Sequence, residues 1–168
     1  MKGSFKLGKI ADIGIFIHWT FSLLILFIVF INYRSGQNAT QILWSVFFVL
    51  SIFITVVMHE LGHALAAKRY NIITKDITLL PIGGIARLEK IPEKPIEELI
   101  VAIAGPLVNI VLAVITGIFI TIPATSEQSM AQLANGVNAN NFFLNFFLVD
   151  VWLALFNLIP AFPMDGGR

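Results

Sequence analysis

The stretch His59-Glu60-Leu61-Gly62-His63 lies near the end of an apolar run that extends from Ile42 to about Ala67. Histidines four residues apart share one face of a helix, so both imidazoles can bind the same ion. The carboxylate of Glu60 follows the first histidine, where it can take a proton from a water molecule at that ion. A pair of packed core histidines is the alternative, but a neighbouring carboxylate makes that arrangement costly in lipid. The motif therefore indicates a zinc site with an adjacent general base.

The composition places this motif in a membrane protein. Of the 168 residues, 57% are hydrophobic and 12% are charged, whereas soluble domains average about 25% charged residues. The net charge of +1 implies no polyanionic partner such as a nucleic acid. The chain has no cysteine, so any metal must be held by His, Asp or Glu.

Four apolar runs are each long enough to cross a hydrocarbon core of about 30 Å as a helix. A further stretch, 72–91, has two β-prone segments around Pro81-Ile82-Gly83-Gly84, which predicts a hairpin. The sequence thus predicts an all-α polytopic membrane protein with at least four transmembrane helices and a small membrane-associated β-hairpin or sheet. The predicted spans are about 13–31, 42–67, 96–122 and 142–159.

The basic residues predict the orientation of these spans. If the N-terminus is cytoplasmic, every Lys and Arg except Arg34 falls on the cytoplasmic side, as the positive-inside rule favours. The second and fourth spans then both end inside. The active site is therefore expected toward the cytoplasmic side of an integral membrane protein.

A catalytic zinc site needs three protein ligands and one open position. If His18 is not the third ligand, that ligand must be Asp or Glu, and Asp165 is the best candidate. It follows the fourth span, so it is expected at a depth similar to that of His59 and His63. A simple interfacial turn at Asp165-Gly166-Gly167 is the alternative.

Three other residues within the predicted spans have two interpretations each. Gly105 suits close helix packing as well as catalysis, and Asn109 suits either a packing partner or a substrate contact. His18 is either a residue of a substrate gate or second ligand shell, or a packed histidine. Asp150 is expected at the outer interface, far from the site.

Four motifs together resemble the site-2 protease family of intramembrane zinc metalloproteases. They are Met58–His63, Leu79–Gly84, Gly105–Asn109 and Asn157–Gly167, in that order. The chain is most similar to the compact prokaryotic members, which include the sporulation-factor-processing enzymes. Nearly the whole chain takes part in the resemblance.

The resemblance implies one Zn²⁺ per chain, bound by His59, His63 and Asp165, with Glu60 as the catalytic acid/base. It also implicates Asn157 in substrate or oxyanion binding. The implied function is hydrolysis of peptide bonds in membrane-embedded substrates, that is, regulated intramembrane proteolysis. The alternative is a membrane metal transporter or metal-sensing protein with the same His/Asp site, although the sequence shows no internal repeat.

The resemblance also implies partners and a location. These are a transmembrane protein substrate, the lipid bilayer of a prokaryotic inner membrane and regulatory membrane partners. The strands near 77–88 resemble the family's substrate-contacting sheet. Residues 1–168 would form the metalloprotease core, and because family members continue into further spans and often a CBS domain, truncation after Arg168 is expected.

Overall fold

The computed structural model describes residues 3–89, 94–120 and 136–158. Over these ranges the chain is mostly helical, with one four-stranded sheet. The strands are β1 (Ser4–Ile10), β2 (Ile13–His18), β3 (Thr74–Leu80) and β4 (Gly83–Leu88). The helices are α1 (Thr20–Arg34), α2 (Ala39–Arg69), α3 (Pro95–Gly117) and α4 (Phe142–Leu158).

Helix α2 carries the histidine motif, and local sequence sets both of its ends. The Asn38 side chain accepts a hydrogen bond from the Gln41 backbone N–H at 2.9 Å, and the Gln41 side chain accepts one from the Asn38 N–H at 3.0 Å. This reciprocal pair is a capping box. At the other end Asn71 has a φ of 59°, and the Ile72 N–H bonds the Ala67 carbonyl at 3.1 Å. That left-handed residue stops the helix.

The helices differ in their capacity to cross a membrane. By length and composition α2 and α3 are long and apolar enough, whereas α1 and α4 are shorter apolar helices. With 15 residues, α1 is about 22 Å long, less than the roughly 30 Å of a hydrocarbon core. The predicted third and fourth spans reach residues 122 and 159, which lie outside the described residues. Among the described residues, two of the four predicted membrane-crossing helices, α2 and α3, are long enough to cross.

The first apolar run differs from its prediction. Residues 13–31 were expected to form one helix, but the first six residues form β2 and the helix α1 begins at Thr20. β2 pairs in parallel with β3, from Gly14 opposite Asp76 to Ile17 opposite Leu79. The β-branched residues of this run suit a strand as well as a buried helix, and pairing with a distant segment decides between them.

The sheet lies against α2 in the order β1-β2-β3-β4. Its strands β3 and β4 are antiparallel and fall within the stretch 72–91 assigned to a hairpin. Ile77 is fully buried and packs with Ile13 and with Ala64 of α2. Leu79 packs with Phe53, farther toward the start of α2. These contacts bring the turn between β3 and β4 alongside the middle of α2.

One ion pair joins the two strands of this hairpin. Arg87 on β4 donates two hydrogen bonds to the carboxylate of Asp76 on β3, one of them from Nε at 2.7 Å. The carboxylate is largely buried, and the guanidinium is half-exposed. The hydrogen bonds and charge of Arg87 hold the pKa of Asp76 below its ordinary value.

The substitution Arg87→Gln should therefore destabilise the protein in a pH-dependent way. Because the pKa of Asp76 is lowered in the folded state, its stabilisation is complete above the unfolded-state pKa of about 3.9. It is lost as the pH falls through the lower folded-state pKa. We expect a Tm several degrees below wild type at neutral pH, with the difference shrinking in acid.

Thermal unfolding in detergent micelles measures this effect. Lys75→Gln is the matched control, because the Lys75–Glu89 pair on the same hairpin is exposed and spans 3.6 Å. An equal loss of Tm in both variants, or a pH-independent loss in Arg87→Gln, would contradict the assignment.

Candidate metal centre

His59 and His63 meet on the buried face of α2. Their Nε2 atoms are 3.0 Å apart, and the two rings are nearly perpendicular, at 78°. The exposed fractions of the two residues are 5% and 8%. The one-turn spacing predicted from sequence thus brings two imidazole nitrogens to one point inside the protein.

A hydrogen bond to α3 fixes the ring of His63. Its Nδ1 lies 2.7 Å from the Val101 carbonyl oxygen. Because a carbonyl oxygen only accepts hydrogen bonds, Nδ1 carries the hydrogen, and Nε2 of the neutral ring keeps its lone pair. Metal-binding histidines are commonly oriented by such a bond from the second nitrogen. His63 is therefore held in the tautomer that a metal requires.

The geometry fits zinc. Two imidazole nitrogens on one tetrahedral zinc, each at about 2.05 Å, would lie roughly 3.3 Å apart, close to the separation of the two Nε2 atoms. Among the described residues no third His, Asp or Glu completes a metal cluster with them, so His18 is not brought to the pair as a ligand. Asp165, the predicted third ligand, lies outside the described residues. The two histidines would hold the metal, and one carboxylate would complete the set.

Glu60 lies beneath the β3–β4 hairpin. A Cβ added to Gly84 would lie 2.8 Å from Glu60 Cγ and 3.2 Å from its Oε1. The absence of a side chain at Gly84 therefore lets the strand backbone rest directly on this carboxylate. Gly84 is paired with Leu79, whose packing against Phe53 anchors the strand over α2.

Small residues let α3 approach the histidines closely. A Cβ on Gly105 would lie 2.5 Å from His63 Cε1 and 2.6 Å from its Cδ2, well inside contact distance. A Cβ on Gly62 would lie 2.8 Å from the Ala104 carbonyl oxygen. Of the two interpretations left open for Gly105, the geometry supports the steric one, because this glycine makes room for the imidazole.

Two asparagines flank the histidines from different helices. The Asn157 Nδ2 of α4 lies 3.4 Å from His59 Nε2. Asn109 is completely buried, and within the described ranges neither its Oδ1 nor its Nδ2 has a hydrogen-bond partner. It follows Gly105 by four residues on α3, so it shares the face that meets His63. Both amides are available near the candidate site.

His18 occupies a different environment. Its Nδ1 lies 2.7 Å from Thr20 Oγ1, and its ring packs on Trp19. These contacts belong to the junction of β2 and α1. They favour the packed interpretation of this histidine.

Sequence reasoning missed a buried polar pair on α2 and α4. Asp150 was expected at the outer interface, but its exposed fraction is 0%, and that of Thr55 on α2 is 1%. The signal was present in the sequence, since Asp150 precedes Asn157 by two helical turns and lies within an apolar run.

The fold and the site define a membrane-type helical protein with a buried pair of histidines on one helix, and comparison with known proteins narrows this class. The profile of peptidase family M50 matches residues 47–168. The solved site-2 protease from Methanocaldococcus jannaschii superposes with a TM-score of 0.69 at 39% identity, covering 98% of this chain and 68% of that one. The chain belongs to peptidase family M50, the site-2 protease family, and the predicted resemblance is confirmed.

Curated relatives agree with this family assignment. A zinc metalloprotease of Methanocaldococcus jannaschii is 42% identical over 170 residues, which cover all of this chain and 44% of that protein. A putative zinc metalloprotease of Synechocystis is 34% identical over 178 residues, covering all of this chain and 43% of that protein. The stage IV sporulation protein FB of Bacillus subtilis is 30% identical over 121 residues, 71% of this chain and 38% of that protein. The chain thus spans less than half the length of these relatives.

The contact between Gly105 and His63 predicts that replacing this glycine by alanine lowers zinc affinity, although alanine favours a helix. In an exposed helix Gly→Ala gains about 1 kcal/mol of helix propensity, but at Gly105 the methyl group would displace the His63 ring. We expect Gly105→Ala to lower zinc affinity at least about tenfold, a loss typical of disturbed ligand orientation.

Gly117→Ala provides the control on the same helix, since its Cβ would meet Phe147 at an ordinary 3.8 Å. Zinc content per purified chain and competition with a chromophoric chelator measure the effect. Retention of wild-type zinc affinity by Gly105→Ala would contradict the steric account.

Proposed function

We propose that the protein is an intramembrane zinc metalloprotease that hydrolyses peptide bonds of membrane-embedded substrates. The observation that carries the proposal is the convergence of the buried His59 and His63 nitrogens beside Glu60. Membership of peptidase family M50 supports the reaction class. His59, His63 and Asp165 would hold one ion, which when bound supplies Lewis acidity to polarise the scissile carbonyl and acidify water.

The chain's own groups divide the proton transfers and substrate contacts. Glu60 accepts a proton from the attacking water and returns it to the leaving amine, as a general base and then a general acid. The amides of Asn157 and Asn109 can donate hydrogen bonds to substrate carbonyl oxygens, including the one that becomes negatively charged. Their support is position, since Asn157 Nδ2 lies 3.4 Å from His59 Nε2 and Asn109 is buried with both amide atoms unpaired among the described residues.

The edge of the sheet suits an extended substrate. A helical substrate hides its scissile bond behind backbone hydrogen bonds, so it must unwind locally before cleavage. β4 is an edge strand, and the backbone of its Gly84 lies against Glu60. A substrate strand added to β4 would form main-chain hydrogen bonds and run past the general base.

The distribution of charges supports a placement of the helices in the membrane. We propose four membrane-crossing segments with a cytoplasmic N-terminus, α1 continuing the crossing that β2 begins. Lys68 and Arg69 in the last turn of α2 support a cytoplasmic end there, with His63 about one and a half turns and His59 nearly three turns from that end. The site would then open toward the cytoplasm of a prokaryotic cell, where water can enter.

The whole protein's partners are part of the proposal. A single-span membrane protein would be the substrate, and regulatory membrane partners would control access. Relatives more than twice as long support a natural chain that continues beyond Arg168 into further spans or a regulatory domain. The comparisons give no support to a metal transporter, and Glu60 has no task in that alternative.

The Glu60→Gln variant tests this function. Gln keeps the size and polarity of Glu but cannot carry protons, so cleavage of a co-expressed single-span substrate should fall about 10²–10⁴-fold. Zinc content should stay at the wild-type level, because Glu60 is not one of the proposed ligands. Immunoblotting of substrate and product measures the cleavage, and metal analysis of the purified enzyme measures the zinc content.

Glu97→Gln serves as the matched control, since Glu97 pairs with Lys94 in the first turn of α3. The experiment uses the natural full-length protein in its membrane. Equal cleavage by wild type and Glu60→Gln would overturn the role of Glu60, whereas metal uptake without cleavage would favour transport.

A further inference from the structure

A carboxyl group lies fully buried in α4, within the helical bundle. Asp150 has an exposed fraction of 0%, in a helix whose sequence is otherwise apolar apart from Asn145 and Asn157. Its polar neighbour across the helix interface is the Thr55 side chain on α2, itself 1% exposed. Burial of a carboxyl away from water is costly without a polar neighbour, so the two residues have a strong reason to stay in register.

This pair shares helix faces with residues of the metal centre. Asp150 and Asn157 are seven residues apart on α4, which is almost two full turns, so their side chains lie on one face. Thr55 and His59 are one turn apart on α2 and likewise share a face. The contacts of Phe142 with Phe48 and of Asn157 with His59 align the two helices side by side. This alignment places the buried Asp150 opposite the buried Thr55.

The surroundings of Asp150 favour one rotation of α4, the one that keeps Asp150 beside Thr55. Within the described ranges neither carboxyl oxygen of Asp150 has a hydrogen-bond partner, and the buried neighbour on the same face of α4 is the apolar Ala154. A rotation of α4 that withdrew Asp150 from Thr55 would leave the carboxyl among apolar side chains. The same rotation would turn Asn157 away from His59, because both residues lie on one face.

We propose that Asp150 is a positioning residue, whose contact with Thr55 sets the rotation of α4 so that Asn157 lies against His59. The polar pair acts through α4 and does not touch the reacting atoms. The catalytic consequence rests on the proposed function, but the geometric claim does not, and it can be tested without activity.

Cysteine cross-linking measures the geometry directly, because the chain has no native cysteine. The pair His59→Cys/Asn157→Cys reports the inner contact of α2 and α4 and removes a metal ligand, so the result is independent of zinc and of cleavage. The pair Phe48→Cys/Phe142→Cys reports the outer end of the same two helices, where the rings are 5.9 Å apart. A short bis-methanethiosulfonate reagent applied to membranes containing the full chain gives the yield for each pair.

Adding Asp150→Leu should lower the inner cross-linking rate at least about fivefold, as the local effective concentration of the two thiols falls. The outer pair should keep its yield. Thr55→Val should reproduce the effect, while Asp150→Asn, which retains hydrogen-bonding capacity, should preserve the inner yield. Asn145→Leu is the matched control, since the one hydrogen bond described for the Asn145 side chain goes to the Asn141 carbonyl, directly before α4.

Two results would overturn the proposal. One is unchanged inner cross-linking in Asp150→Leu, and the other is equal loss at the inner and outer pairs, which would mean general loss of packing. In the intact enzyme, Asp150→Leu should lower kcat about tenfold with KM little changed, the pattern of a misplaced catalytic group, and Asp150→Asn should restore it. If the wild type cleaves no substrate, the proposed function fails while the cross-linking result still stands.

Discussion

The arrangement of the site depends on the contact between His63 and α3. The imidazole lies between two helices, with Nδ1 bonded to the Val101 carbonyl at 2.7 Å and its ring over the bare backbone of Gly105. The first interaction sets the tautomer and orientation of the ring, and the second allows the helices to come close enough to form it. With His63 fixed, the one-turn spacing brings the His59 nitrogen to the same point.

The remaining elements place polar groups around this point. The sheet brings the backbone of Gly84 onto Glu60, and α4 brings Asn157 to His59. The first approach depends on the absence of a side chain at Gly84. The second depends on the burial of Asp150 and Thr55 between α4 and α2. A membrane-type helical protein has few polar side chains, so each must be held by packing against a specific neighbour.

Local sequence predicted the features that arise from spacing along the chain. The histidine pair follows from i to i+4 geometry, and the β3–β4 turn follows from Pro81-Ile82-Gly83-Gly84. The strand β2 was predicted as a helix, because an apolar run rich in Ile suits both structures and its pairing with Asp76 to Leu79 is long-range. The spacing of Asp150 from Asn157 could have indicated a shared buried face, but which groups Asp150 and Gly105 meet depends on helix packing, which periodicity does not encode.

The central claim is that His59 and His63 bind one zinc ion together with a carboxylate. X-ray absorption at the zinc edge of the purified, zinc-loaded protein tests it most directly. The account predicts nitrogen and oxygen ligands at about 2.0–2.1 Å, with the outer-shell scattering of two imidazoles in wild type and of one in His63→Ala. A spectrum with fewer than two imidazoles in the wild-type protein, or one unchanged by His63→Ala, would contradict it.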